Sequence, residues 1–204
     1  MITAICRRLG PLVAALMLCA AAASGQGTSA MDVSAGYSYL RANAPPGQCG
    51  CFNMNGGSGS FAAYLGHGFS AVGDFGGYYQ GNVANSGESL TLETYLFGPR
   101  YSFHRGKKVT PFTQFLIGGA HGSGSTYSTS VSSLSGTGTS SGSANGLAFT
   151  AGGGLDWNIN KTVSIRLVQA EYLMTRLANG VNGYQNNLRL TFGVVFHFGK
   201  SRGN

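Results

Sequence analysis

The chain has 204 residues, of which 43% are hydrophobic and only 9% charged, and its formal net charge is +7. So few charges exclude a charged disordered chain, and a hydrophobic content this modest excludes a bundle of membrane helices. The remaining pattern, with 34 glycines and 11% aromatic residues, suits strands that alternate lipid-facing and lumen-facing side chains.

The first 25 residues have the three parts of a secretory signal peptide. Arg7 and Arg8 form a basic start, an apolar run follows over 9–23, and small residues end it. The run is shorter than the roughly 20 residues that a membrane-spanning helix needs. We therefore expect residues 1–25 to be a cleaved signal peptide, with the cut between Ala23 and Ala30 and one domain of ordinary size left.

Apolar residues at every second position predict β-strands in the rest of the chain. The pattern is clearest over 188–198, where each even-numbered residue is apolar. Turn residues divide the chain into about eight strands of the length that a tilted membrane strand requires. These are expected at 31–40, 58–66, 70–80, 90–103, 109–120, 145–158, 162–175 and 186–198. No later apolar stretch could form a spanning helix, so a membrane form would be a closed barrel.

The connections between these strands alternate in length. Those at 66–69, 104–108 and 158–161 are short, whereas the other connections are longer and rich in Gly, Ser, Asn or Thr. The long connections are expected at 42–57, 81–89, 121–144 and 176–185. Short periplasmic turns and long external loops alternate in this way in outer-membrane barrels, whereas a soluble sandwich has no reason to segregate them.

Basic residues concentrate at the short-turn end of this topology. They are Arg105, Lys107, Lys108, Lys161, Lys200 and Arg202. The pattern predicts a basic periplasmic rim that either attracts anionic lipid headgroups or consists simply of solvated turn residues. Nucleic acid is not an expected partner, because the basic residues lie on turns without a recognition motif.

The same alternation predicts which polar side chains face the lumen. If the aromatic residues of the fourth strand face lipid, then Arg100 points inward together with Leu96 and Gly98. Six more polar residues share this inward phase: Asp74, Gln114, Asp156, Gln169, Glu171 and Arg189. An eight-stranded lumen is filled by side chains, so we expect a network of ion pairs rather than an ion path.

One pair within this set can be predicted from antiparallel pairing alone. Glu171 and Arg189 are equally distant from Gly180, in the loop that joins the last two strands. Residues placed in this way lie opposite each other on antiparallel neighbours, so the two should form an ion pair.

The segment from Thr191 to Phe198 resembles the C-terminal signal that outer-membrane assembly machinery reads. A polar residue, Gly193 and the aromatic pair Phe196 and Phe198 occupy its positions. With the segment Leu-Phe-Gly-Pro-Arg-Tyr at 96–101 and the glycine-rich sixth strand, the chain resembles the OmpA-type and OmpX-type outer-membrane barrels.

This resemblance implies an all-β, up-and-down antiparallel transmembrane β-barrel of about eight strands over residues 31–199, in the bacterial outer membrane. It also implies that lipids and the assembly machinery are partners, the latter through the last strand. A short tail at 200–204 follows Phe198 and departs from the family pattern. We expect no peptidoglycan-binding domain after the barrel, so a wall-anchoring role is not carried over from the larger relatives.

Cys49 and Cys51 lie in the first external loop, where an oxidising compartment favours a disulfide. A bridge across one residue is strained, so a structural staple, an intermolecular or redox role and metal ligation all stay open. The loop at 121–144 is rich in Ser, Gly and Thr and predicts a flexible fringe. A glycan or host-surface contact through Tyr127 is the alternative.

These patterns predict a non-enzymatic outer-membrane barrel that contributes to envelope integrity or to surface interaction and adhesion. Alternatives are a narrow conduit, a carrier for small hydrophobic ligands and, least favoured, a lipid-modifying enzyme. Four histidines could supply a base for lipid hydrolysis, but none shows the spacing of such a site: His67, His104, His121 and His197. Neither a cofactor nor a resident metal ion is expected.

Overall fold

The computed structural model describes residues 31–42, 51–85, 87–105, 107–125, 142–177 and 184–199, and these form a single barrel. The strands are β1 (Met31–Ala42), β2 (Phe52–Gly66), β3 (Phe69–Gln80), β4 (Leu90–Ser102), β5 (Val109–Gly124), β6 (Gly142–Asn158), β7 (Val163–Arg176) and β8 (Gln185–Phe198). A short 3-10 helix, Val83–Asn85, lies between β3 and β4. The predicted fold class and all eight predicted strands are confirmed.

Each strand pairs antiparallel with its chain neighbours, and β8 closes the barrel on β1. At this seam Gly36 lies opposite Gly193, and Met31 lies opposite Phe198. Closure leaves no strand edge with unpaired backbone groups, which is the condition for crossing a hydrocarbon layer with strands. Within the described residues, no helix is both long and apolar enough to span a membrane.

Side chains alternate between the two faces of the barrel along every strand. On β8 the outward residues include Leu188, Phe192, Phe196 and Phe198, which are 48%, 44%, 43% and 53% exposed. Between them Arg189 points inward and is fully buried. The outer surface is therefore apolar, and the polar side chains of the strand interiors are turned inside.

The two ends of the barrel differ, and we name them by their connections. The turn end carries the short connections β2–β3, β4–β5 and β6–β7, and the loop end carries the four longer ones. The β2–β3 turn is tight because His67 (φ 51°) and Gly68 (φ 86°) both adopt left-handed backbone conformations.

Several strands reach further toward the loop end than the sequence predicts. β2 begins at Phe52 rather than at residue 58, and the β5–β6 hairpin continues to Gly124 and Gly142. The predicted boundaries are wrong here because Phe52 and Met54 turn their apolar side chains into the lumen instead of toward lipid, and the end of the β5–β6 hairpin is rich in Gly, Ser and Asn.

Candidate functional site

The centre of the lumen is organised around the guanidinium of Arg189 on β8. Its Nε donates to Glu171 Oε2 at 2.8 Å, and its Nη1 donates to Asp74 Oδ1 at 2.6 Å. Glu171 lies directly opposite Arg189 on β7, in the register predicted from the sequence. Asp74 reaches Arg189 across the lumen from β3, which is not a neighbouring strand. All three side chains are buried, so the two carboxylates offset the desolvation of one cation.

A second ion pair lies nearer the turn end. Arg166 donates to both oxygens of Asp156, from Nε at 2.8 Å and from Nη2 at 3.1 Å, which is the bidentate geometry. Its Nη1 donates to Gln169 Oε1 at 2.7 Å, and Gln169 Nε2 donates to Glu171 Oε2 at 2.7 Å. Gln169 therefore links the two ion pairs into one continuous network.

Arg100 occupies the third position of the network without a carboxylate partner of its own. Its Nε donates to Gln114 Oε1 at 2.7 Å, and Gln114 in turn donates to Glu171 Oε1 at 2.7 Å. The guanidiniums of Arg100 and Arg166 both stack on the Phe112 ring, 4.5 and 4.8 Å from its centroid. The Nη2 of Arg100 makes no hydrogen bond among the described residues, so stacking and charge balance stabilise this cation.

The inward glycines of β6 make room for these long side chains. A Cβ atom on Gly152 would lie 2.8 Å from Glu171 Cγ, and one on Gly154 would lie 2.7 Å from Phe112 Cζ. A cavity of about 10 Å³ lies beside Ser34, Asp74 and Arg166, which is room for about one water molecule. This part of the lumen is therefore lined by polar side chains and has room for little more than a water molecule.

All seven polar residues assigned to the lumen from the sequence point into it, and Arg166 is the residue that this assignment missed. The period that places Gln169 and Glu171 inside would place Arg166 outside. A β-bulge changes the phase, because Leu167 and Val168 together oppose the single residue Phe192 of β8. The residue type could have indicated the inward position of Arg166, because an unpaired cation that faces lipid is energetically costly.

The network of ion pairs expected for the lumen does not extend to its loop-end part, which is lined mainly by apolar side chains. Leu40, Met54 and Leu173 are at most 1% exposed, and Val83 of the 3-10 helix is 3% exposed. We call this group the apolar layer, and its members are Leu40, Phe52, Met54, Val83, Leu92, Leu173 and Leu177. Alternation in the sequence could not predict this. It separates inward from outward residues, but it does not predict whether the inward residues of a given part of the strand are polar or apolar.

At the turn end, Asp32, His197 and Ser164 have the order and spacing of a hydrolase triad. His197 Nδ1 lies 2.7 Å from Asp32 Oδ1, and His197 Nε2 lies 2.6 Å from Ser164 Oγ. However, Ser164 also bonds to the side-chain oxygen of Asn158, and an amide oxygen can only accept, so the one hydroxyl proton points there. The serine-to-histidine hydrogen bond of a hydrolase triad is therefore missing from this group.

Asp32, His197 and Ser164 form a group of hydrogen-bonded polar side chains at the turn end of the barrel. Ser164 is 0% exposed, so its side chain is not accessible to solvent. Arg105 from the β4–β5 turn completes the cluster, with Nη2 at 3.0 Å from both carboxylate oxygens of Asp32. The contacts join β1, β7 and β8 and the β4–β5 turn, and no group of three or more metal-binding side chains occurs in the described part of the chain.

The remaining predicted site residues lie on β8 and before β2. Thr191 and Gly193 point inward, and Phe196 and Phe198 point outward near the turn end. Their role as an assembly signal stays a prediction. Cys51 is exposed directly before β2, whereas Cys49 lies outside the described residues, so the disulfide also stays a prediction.

The sequence matches no protein-family model and no curated protein. The barrel is similar to the structure of Neisserial surface protein A, NspA, with a TM-score of 0.63, 15% identity and coverage of 85% of this chain and 100% of that one. It is also similar to Ail, the attachment invasion locus protein of Yersinia pestis, solved with the heparin analogue sucrose octasulfate. That match has a TM-score of 0.57 and 19% identity, and covers 83% of this chain and 99% of that chain.

A third similar structure is a major outer membrane protein from Thermus thermophilus, with a TM-score of 0.53 and 13% identity. The match covers 85% of this chain and 100% of that chain. At these identities the likeness concerns the fold. The chain has the fold of the eight-stranded bacterial outer-membrane β-barrels, as its sequence predicts.

Proposed function

We propose that this chain is an integral outer-membrane barrel that conducts no ions, catalyses no reaction and contributes to the integrity of the envelope. The observation that carries the proposal is a closed barrel whose lumen is occupied by a charge-balanced network and by the apolar layer. The loop end faces outward and the turn end faces the periplasm, the arrangement that short turns and long loops favour.

The contents of the lumen argue against the narrow conduit. In the network, Arg100, Arg166 and Arg189 are balanced by Asp74, Asp156 and Glu171, and each carboxylate is bound to an arginine. An ion on this path would have to break these pairs and then cross the apolar layer, where it would lose its hydration. The carrier alternative is disfavoured as well, because Leu40, Met54 and Leu173 already fill the apolar space.

A surface partner, if the loops bind one, is expected to be uncharged. The charged residues at the loop end balance, with Arg41 and Arg176 against Glu88 and Glu93, and the sequence of the longest loop, over 126–141, contains no charged residue. Ail was solved with a heparin analogue, but a polyanion of that kind needs a cationic surface. Hydroxyl and amide groups of the loops would instead suit a neutral glycan.

Export and assembly complete the proposal. Residues 1–25 act as a cleaved signal peptide, and Thr191, Gly193, Phe196 and Phe198 are the positions that the assembly machinery reads. The two phenylalanines are exposed on the outer face of β8, where a membrane-embedded receptor could contact them.

The proposal predicts no conductance in planar bilayers and a raised detergent sensitivity of cells that lack the protein. Complementation with the full chain should restore resistance, and so should a matched variant that lacks residues 126–141, because the barrel itself is intact. Regular channel openings would contradict the closed lumen. Unchanged detergent sensitivity in the deletion strain would contradict the envelope role.

A further inference from the structure

Among the described residues, the lysines of the turn end have no acidic side chain beside them, in contrast to Arg105, which is paired with Asp32. The sequence contains six acidic residues. Asp74, Asp156 and Glu171 are bound to arginines inside the lumen, and Asp32 is bound to Arg105 and His197. The last two, Glu88 and Glu93, lie at the opposite end of the barrel. Every carboxylate side chain is therefore engaged or remote.

Three lysines of the described residues remain at the turn end, and hydrogen bonds hold their two turns together. Lys107 and Lys108 in the β4–β5 turn and Lys161 in the β6–β7 turn are all exposed. Asn158 joins the two turns, because its backbone N–H donates to Lys108 O at 2.9 Å and its side-chain amide donates to Lys107 O. Asn160 Oδ1 accepts two backbone N–H groups at 2.8 Å and fixes the turn that carries Lys161.

An apolar surface adjoins these lysines on the outer face. Val109, Trp157 and Ile165 lie opposite one another on β5, β6 and β7, in a single row across the strands. They are 45%, 42% and 37% exposed. Cations at a rim beside an exposed aromatic and aliphatic row match the two parts of a lipid, a charged headgroup and its acyl chains.

We propose that the turn end binds an anionic glycerophospholipid of the adjacent leaflet. The binding residues are Lys107, Lys108, Lys161 and Trp157, which we call the basic rim patch. The lysines contact the phosphate of the lipid, and its acyl chains lie on the row formed by Val109, Trp157 and Ile165. A hydrated anionic polymer such as the cell wall would use the lysines but leave the apolar row without a role, so the lipid is favoured. The inference rests on the proposed membrane location.

Trp157 is the only tryptophan of the chain, so its fluorescence reports on this patch alone. The protein is reconstituted in phosphatidylcholine vesicles that contain equal fractions of brominated phosphatidylglycerol or brominated phosphatidylcholine, because bromine quenches tryptophan on contact. We expect the anionic lipid to be preferred by on the order of fivefold, the effect of about one lysine near an anionic surface. Raised salt should weaken this preference.

The variant K107Q/K108Q/K161Q should lose the preference while keeping the fold, because all three side chains are exposed. K161Q alone should lose part of it. The matched variant R41Q/R176Q removes two cations from the loop end and should keep the preference. Equal quenching by the two lipids in the wild type, or a preference that survives in the triple variant, would overturn the proposal.

Two other outcomes distinguish a wrong membrane location from a wrong ligand. Absence of quenching by either brominated lipid would show that the barrel is not in the membrane, which is a failure of the proposed function. Lysine-dependent sedimentation with cell-wall sacculi, combined with equal quenching by both lipids, would replace the lipid by a wall polymer.

Discussion

Arg189 contacts two carboxylates at once, and this makes it the residue on which the lumen network most depends. Glu171 bonds to Nε, and Asp74 bonds to Nη1 from across the barrel. If the arginine is removed, two buried carboxylates lose their charge partner. If Glu171 is removed, Arg189 keeps Asp74. The two substitutions should therefore differ in cost although they break the same pair.

We predict that R189Q lowers the free energy of unfolding by about 3–5 kcal/mol, the cost of leaving a buried charge without its partner. E171Q should cost less than R189Q, and E171Q/R189Q should cost less than the sum of the two. Urea unfolding in lipid vesicles measures the three values, with the exposed R41Q as the control. Strictly additive losses would show that the two side chains are not energetically coupled.

At the scale of the element, the bulge in β7 decides which side chains the strand turns inward. Arg166 and Gln169 both face the lumen although three positions separate them, because Leu167 and Val168 both lie outside. Without the bulge, either Arg166 or the pair Gln169 and Glu171 would face lipid.

Deletion of Val168 should consequently be tolerated, because it restores regular alternation with Arg166, Gln169 and Glu171 still inward. Deletion of Ala170, two residues away, should abolish folding, because Gln169 and Glu171 become adjacent and one of them must face lipid. The folded fraction of each deletion variant is measured by gel mobility before and after heating. Equal behaviour of the two deletions would refute the assigned phase of β7.

At the scale of the whole molecule, closure and the outward aromatic residues determine the solvent in which the chain folds. β8 pairs with β1, so no edge strand remains. Phe192, Phe196 and Phe198 on β8 and Trp157 on β6 are all more than 40% exposed. A barrel with so many exposed aromatic side chains is expected to aggregate in water and to be stable in hydrocarbon. The side chains that fill the lumen support the barrel from inside.

The mature chain should therefore fold only in detergent or lipid and then resist SDS at room temperature. Boiling should shift its gel mobility, because it unfolds the barrel. Once one strand pair opens, the barrel is no longer closed and the hydrogen bonds between the other strands are exposed as well. A matched sample kept without detergent should stay unfolded or aggregate. A soluble, folded monomer in plain buffer would contradict the membrane barrel.

The sequence by itself determined the number of strands, the register of Glu171 with Arg189 and, apart from Arg166 beyond the bulge of β7, the inward and outward phase of the polar lumen residues. These are local properties, because lipid on one side and the lumen on the other impose a period of two, and hairpin pairing follows from the loop midpoint. At the start of β2 the apolar residues Phe52 and Met54 face inward, and the start of β6 is rich in Gly, Ser and Asn, so neither start could be predicted from a lipid-facing apolar pattern.

The tertiary structure alone decided what the inward side chains meet. Asp74 binds Arg189 across the lumen, Asp156 binds Arg166 beyond a bulge, and Arg100 stacks on Phe112 without a carboxylate of its own. Only the tertiary structure shows the apolar layer as well, and the hydrogen bonds by which Asn158 joins the two turns that carry lysines. Only the contact of Asp74 with Arg189 joins strands that are not neighbours, but all of these contacts depend on the stagger, bulges and turns of the closed barrel, which no local period in the sequence encodes.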